Sequence, residues 1–270
     1  MINGATKNYK FGQKNNWRRT LWNEIFRRTG GREKQELILY LAGPQDLDRI
    51  VAEQKGAPTN NLIAIDRSAQ NVTSIRSSGH SAINADALDT LRAWPENRPV
   101  CAVVLDFCSG LLNDDEMSLL TGLMLVHPSL KNAVFAVNFM RGRDGHRVAK
   151  YLLDLVGQAE DHSVAMKLGL ISPLHRGLAF TKAIALQVAK LLVANGHVFD
   201  SAASDRLFRY LSPKWFSYRS STLVFDSVVL SPLNLNTAVA GGLDALWPKD
   251  AATARKISAT LAIRTRRALA

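Results

Sequence analysis

From Glu36 onward the chain alternates short apolar runs with amphipathic helical segments. That alternation restricts it to an α/β fold, a doubly wound and mostly parallel sheet covered by helices on both faces. ELILYLAG (Glu36–Gly43) is the first predicted strand. Pro44 suits the first turn of a helix, where its missing N–H is not needed, and opens a predicted helix reaching Lys55. NLIAID (Asn61–Asp66) is the second strand, and Ser68 is the expected N-cap of a helix that buries Val72 and Ile75 and stops at Gly79. HSAIN (His80–Asn84) makes a short third strand, followed by a helical turn opening at Asp86. CAVVLDF (Cys101–Phe107) and NAVFAVNF (Asn132–Phe139) are the fourth and fifth strands. Between them a helix over residues 113–126 carries Asp114, Asp115 and Glu116 in its first turn, where the helix dipole favours acids. KWFSYRS (Lys214–Ser220) and TLVFDSVVL (Thr222–Leu230) lie too close together for a parallel crossover, so they are predicted to form an antiparallel hairpin. Apolar faces through Val148, Leu152 and Leu155, and through Ile184, Val188 and Leu191, predict further helices, and an Ala-rich basic helix is expected from about Asp250.

A chain of 270 residues with 47% hydrophobic content can bury one large core. The expected organisation is a basic helical extension over residues 1–35, a sheet domain over 36–235 and a basic helical segment over 236–270. No stretch keeps the roughly 18 apolar residues that a membrane span needs, and MINGATKNYK has no apolar leader-like core. A cytoplasmic protein without a membrane partner is the expectation. Cys101 and Cys108 fall in one apparent strand with their side chains on opposite faces, so no disulfide is expected. The histidines show no paired metal-ligand spacing, and no metal site is expected.

The net charge of +11 is unevenly placed. Arg18, Arg19, Arg27 and Arg28 belong to an N-terminal basic cluster opposed only by Glu24 and Glu33. Arg141 and Arg143 lie in the RGRDGHR segment, where guanidinium groups can clamp phosphate with paired hydrogen bonds. Arg264, Arg266 and Arg267 close the chain. Such clustering suits a polyanion, and nucleic acid is the expected partner. Trp17, Leu21, Trp22, Ile25 and Phe26 recur at helical spacing among the N-terminal cations. A helix that packs this stripe on the core and turns its arginines outward satisfies both patterns.

Open parallel sheets bind ligands at the carboxyl ends of their strands, near the point where strand order reverses. Gly43, Asp66, Asp86 and Asp106 all fall at such ends. An adenosine-type cofactor requires a small residue where backbone approaches it, as at Ala42 and Gly43. It also requires an acid that accepts both ribose hydroxyls, a role open to Asp66, while Asp86 or the neighbouring Ala87 amide is placed to read adenine. The competing reading makes Asp66 a helix-terminal charge and Asp86 a simple cap.

YLAGP (Tyr40–Pro44), IAID ending at Asp66, NADAL (Asn84–Leu88) and VVLDFCSG (Val103–Gly110) resemble, in order and spacing, the first four motifs of class I, Rossmann-like S-adenosylmethionine-dependent methyltransferases. The closing hairpin resembles the antiparallel pair that sets this family apart from dinucleotide-binding Rossmann domains. The resemblance implies S-adenosylmethionine as cofactor, with Gly43 beside its methionine part, Asp66 on ribose, Asp86 near adenine and Asp106 facing the reacting centre. AGPQD carries one glycine where the family has several; this cofactor has no pyrophosphate to require a full dinucleotide loop. Asp106-Phe107-Cys108-Ser109 loosely resembles the Asp-Pro-Pro-Tyr motif of amino-methyltransferases, which implies an amine contact for Asp106 and base stacking for Phe107. Cys108 offers the cysteine attack used by cytosine-C5 enzymes, and transfer to an amine or ring nitrogen is ranked above it. The alternative is a non-catalytic binding protein of the same fold. A nicotinamide oxidoreductase is disfavoured by the absence of a G-x-G-x-x-G loop.

Overall fold

A computed structural model describes residues 11–107, 114–140, 180–181, 183–185, 187–188, 211–220 and 223–232. Its centre is a seven-stranded sheet: β1 (Leu37–Leu41), β2 (Leu62–Asp66), β3 (Ser81–Asn84), β4 (Val100–Asp106), β5 (Val134–Met140), β6 (Lys214–Ser220) and β7 (Leu223–Leu230). The order is β3-β2-β1-β4-β5-β7-β6; β1 to β5 run parallel, while β7 lies antiparallel between β5 and β6. This is the methyltransferase-like form of the doubly wound sheet. The strand order reverses between β1 and β4, where a ligand crevice is expected.

The helices among the described residues are α1 (Phe11–Thr29), α2 (Leu47–Gln54), α3 (Ala69–Ser77), α4 (Ala87–Arg92) and α5 (Asp114–Val126), with further helical residues within 180–188. On one face Trp17, Leu21, Trp22 and Ile25 of α1 join Val51 of α2 and Val72 and Ile75 of α3 over Ile38, Tyr40, Ala64 and Val104. On the other, Leu88 and Leu91 of α4, Leu120 and Met124 of α5 and Phe180 and Ile184 cover Leu39, Ile65, Val103 and Val137. The strands between these layers are buried on both sides, which is why they read as continuous apolar runs.

Ser68 caps α3 by accepting the Asn71 amide at 3.3 Å, and Asp86 caps α4 by accepting the amides of Leu88 and Asp89 at 2.8 and 3.2 Å. Gly79 ends α3 with φ of 81°, a left-handed conformation that glycine adopts at little cost. The helix expected from Pro44 instead starts at Leu47. Gly43 to Asp46 form a turn closed by the Asp46 amide on the Gly43 carbonyl, with Asp46 itself left-handed. The Tyr40 hydroxyl, at 2.8 Å, and Arg49, at 2.7 Å, hold the Asp46 carboxylate in that position.

Two further findings concern side-chain direction, and the second corrects an expectation. The β1–β4 register slips at Leu37/Ile38, so both Cys101 and Ala102 face the α1 layer before alternation resumes. Burial pushes the Cys101 thiol up to about 12, which leaves it an inert core group. The N-terminal arginines do not all face outward. Arg18 is buried against Asp48, and the Arg28 side chain is buried against Glu24; Arg19 and Arg27 are exposed. The predicted helices through Val148 and from Asp250, and the basic clusters at Arg141 and Arg264, lie outside the described residues.

Candidate cofactor and acceptor site

The parallel register carries Gly43, Asp66, Asp86 and Asp106 to one end of the sheet. After β1, the Ala42 amide continues the ladder to the Ile65 carbonyl, and Gly43 is exposed with open space where a side chain would start. Asp66 ends β2. One of its oxygens accepts the Ser68 amide at 2.7 Å and the other accepts the Asn71 side-chain amide at 2.8 Å, which orients the carboxylate and leaves further lone pairs on both oxygens. Asn84, paired with Asp66 across β3, ties the Asp66 and Arg67 carbonyls together through its side-chain amide.

Asp86 is more committed. One oxygen caps α4 and the other receives the Arg67 guanidinium. Burial alone raises a carboxyl, but here the Arg67 bond and the Asp89 and Leu88 amides outweigh it and hold Asp86 below its ordinary value. Ala87 is buried, with its methyl in the α4–α5 core. The cap role is thus realised for Asp86, and Arg67, which the sequence reading did not single out, bridges the loops after β2 and β3.

Asp106 sits at one end of a polar row. It pairs in register with Asn138 of β5, which pairs with Ser227 of β7, so the three side chains lie side by side on the α1 face. The Asn138 side-chain amide donates to Asp106, the Ser227 hydroxyl donates to Asn138 at 2.9 Å, and Trp17 Nε1 of α1 donates to Ser227 at 3.1 Å. Lys14 Nζ stands 3.6 Å from the other Asp106 oxygen and 5.7 Å from the centre of the Phe225 ring. Behind this row Arg18 Nε lies 3.0 Å from Asp48, which also accepts Trp22 Nε1 at 2.8 Å. Burial pushes the Asp48 carboxyl up, with the nearby Asp106 charge adding to the shift and Arg18 opposing it.

Phe107 points to the opposite face, where its ring stacks against Phe139 at 6.5 Å, and Phe139 meets Phe180 at 5.1 Å. Cys108, Arg141 and Arg143 lie outside the described residues, as do Ser109 and Gly110. The sequence reading missed Lys14, Trp17, Asp48 and Ser227 as parts of this end of the sheet. One signal was legible: Asp226-Ser227 interrupts an otherwise apolar strand.

No protein-family model and no curated protein matches the chain. Among solved structures it is similar to the plantazolicin methyltransferase BpumL, whose structure is a complex with SAH, at 12% identity and a TM-score of 0.34, over 82% of this chain and 89% of that one. Among the described residues there is no cluster of histidines, cysteines and acids that could hold a metal ion, and no helix long and apolar enough to cross a membrane.

Proposed function

We propose that this chain transfers a methyl group from S-adenosylmethionine to an amine or ring nitrogen of a nucleic acid. The observation that carries the reading is the convergence of Gly43, Asp66 and Asp106 on the carboxyl ends of the strands, at the switch point of a methyltransferase-like sheet. The residues present fit the cofactor: open space over Gly43 admits its methionine part, and Asp66, preset by Ser68 and Asn71, keeps lone pairs for ribose hydroxyls. When bound, S-adenosylmethionine supplies a methyl group already activated on a sulfonium, so the protein's task is alignment. Asp106 accepts an N–H of the acceptor and orients its nitrogen. Phe107, expected to stack on a base, is left out of this contact because it points to the opposite face, beside Phe139.

Calorimetric titration of S-adenosylmethionine and S-adenosylhomocysteine tests this directly. Both are expected to bind, and Asp66→Ala is expected to weaken binding about 10- to 100-fold through loss of charge-assisted bonds to ribose. Absence of heat with either ligand overturns the enzymatic reading. It favours the alternative, a non-catalytic binding protein of the same fold, which draws support from the use of Asp66 and Asp86 in local loop and cap bonds.

The nucleic-acid reading rests on the exposed cations, Arg19 and Arg27 on α1, together with Arg141 and Arg143 of the RGRDGHR segment. Arg18 and Arg28 are left out because their side chains are buried against acids, whereas Arg27, although paired with Glu24, keeps its side chain 67% exposed. Converting Arg19 and Arg27 to glutamine is expected to weaken duplex binding and to reduce the magnitude of the log–log salt slope by about 1.8. An unchanged slope in a fluorescence-anisotropy salt titration removes α1 from the interface.

A further inference from the structure

We propose that Trp17, Ser227 and Asn138 form a one-way hydrogen-bond relay that fixes the rotamer of Asp106 and turns its second oxygen toward the acceptor nitrogen. These three are positioning residues for the methyl transfer proposed above, and the inference rests on that reading for its functional half.

The direction of the relay follows from its two ends. An indole Nε1 can only donate, so Ser227 Oγ must accept from Trp17 and has its own proton left for Asn138. At the far end a carboxylate can only accept, so Asn138 must present its NH₂ group to Asp106 and its oxygen to Ser227. The carboxylate end selects the amide orientation at Asn138, and the Trp17 end is compatible with it, because the Ser227 hydroxyl accepts from the indole and keeps its proton for the Asn138 oxygen. The reverse orientation sets two acceptors against each other at Asp106. Asn138 is 2% exposed, Ser227 0% and Trp17 7%, so water cannot readily replace a broken link.

The relay engages one Asp106 oxygen. The other faces Lys14, whose 3.6 Å separation is too long for a direct hydrogen bond and leaves that oxygen able to receive an N–H. Among the described residues, the opposite-charge pair of Asp48 of α2 and Arg18 of α1 stands behind this oxygen, while Asp46 with Arg49 and Glu24 with Arg28 are paired further along the same side. Trp17 also packs on Tyr218 at 4.9 Å, and Tyr218 stacks on Phe225 at 4.7 Å, so the start of the relay is fixed by ring contacts as well as by α1. The relay makes no bond to substrate. It sets where the contacting oxygen points, and it makes α1 part of the site.

The test uses the full chain labelled with ¹⁵N. Asp106→Asn gives position 106 a donor and frees Asn138 to reverse, so the Trp17 indole N–H resonance is expected to shift although three hydrogen bonds intervene. In a Ser227→Ala background the same change is expected to leave that resonance still. An indole resonance unmoved by Asp106→Asn overturns the relay. Trp17→Phe keeps the ring packing and removes only the donor; it is expected to shift the Asn138 side-chain amide resonances. With tritiated S-adenosylmethionine and unmethylated DNA or RNA as acceptor, it is also expected to lower kcat about tenfold at unchanged KM for the cofactor. A fall in Tm with kcat intact overturns the positioning role. Failure of the methyltransferase reading is separately visible, as absence of cofactor binding by the unaltered chain, while the resonance coupling still decides the relay.

Discussion

Arg18→Met is expected to lower the stability of the fold by about 3–5 kcal/mol at neutral pH, because it strands a buried carboxylate. Arg18 and Asp48 face each other between α1 and α2, with side chains 5% and 11% exposed. Methionine fills much of the arginine stem's volume, so the loss reports the missing charge more than missing packing. Burial already pushes the Asp48 carboxyl up, and Arg18 is the first of the groups opposing that push. Removing Arg18 therefore raises Asp48 further. A group raised in the folded state contributes stability that is fully present below its unfolded value and lost as pH rises through its folded value. The deficit of Arg18→Met should accordingly be greatest at neutral and alkaline pH and shrink toward acid. Adding Asp48→Asn removes the stranded charge and keeps an oxygen for Trp22 Nε1, so the double variant should recover most of the loss. Urea denaturation of the single and double variants across pH measures both effects. A deficit independent of pH and of Asp48 would show that Arg18 acts through packing alone.

That pair also marks where the sequence was legible and where it was not. Strand identities were readable because β1, β2, β4 and β5 are buried on both faces and leave unbroken apolar runs, and the hairpin because the spacing of Lys214 and Thr222 admits no crossover. Ser68, Asp86 and Gly79 announced their helix ends through local chemistry that needs no tertiary partner. The start of α2 was misread because Pro44 permits a helix there, while the Tyr40 hydroxyl and Arg49 hold Asp46 left-handed and delay it. Those partners are set by the fold. The fate of each N-terminal arginine was hidden for the same reason: Arg18 and Arg19 are neighbours in sequence, yet one meets Asp48 and the other water. The Asp106 row depends on the registers of β4 with β5 and of β5 with β7, which join residues far apart in the chain.

Glu24→Gln is expected to cost about 2–3 kcal/mol at neutral pH, a deficit that, like that of Arg18→Met, shrinks toward acid, here because it is Glu24 of the unaltered chain that becomes protonated. Glu24 is 4% exposed and gathers Arg27 at 2.6 Å, Arg28 at 2.7 Å and Lys214 of β6 at 3.3 Å. The Arg27 hydrogen bonds, outweighing burial and joined by those of Arg28, hold its carboxyl down at about 2. Because Arg27 is 67% exposed, solvent screens part of this gain, and the expected loss is set below what the full shift implies. A group lowered in the folded state contributes stability that is present above its unfolded value and lost as pH falls through its folded value. The gap between the unaltered chain and Glu24→Gln should therefore be full above about pH 4.5 and narrow progressively toward pH 2. Arg28 continues to Ser231 at 3.1 Å, so Glu24 fastens α1 both to β6 and to the residue after β7. Since α1 also delivers Trp17 and Lys14 to the Asp106 row, Glu24→Gln should weaken the relay in proportion to the lost anchoring. The Trp17 indole resonance, followed over the same pH series, should broaden or shift as the stability gap opens. A gap that persists unchanged to pH 2 would assign the anchoring to neutral hydrogen bonds and leave the Glu24 charge without a structural role.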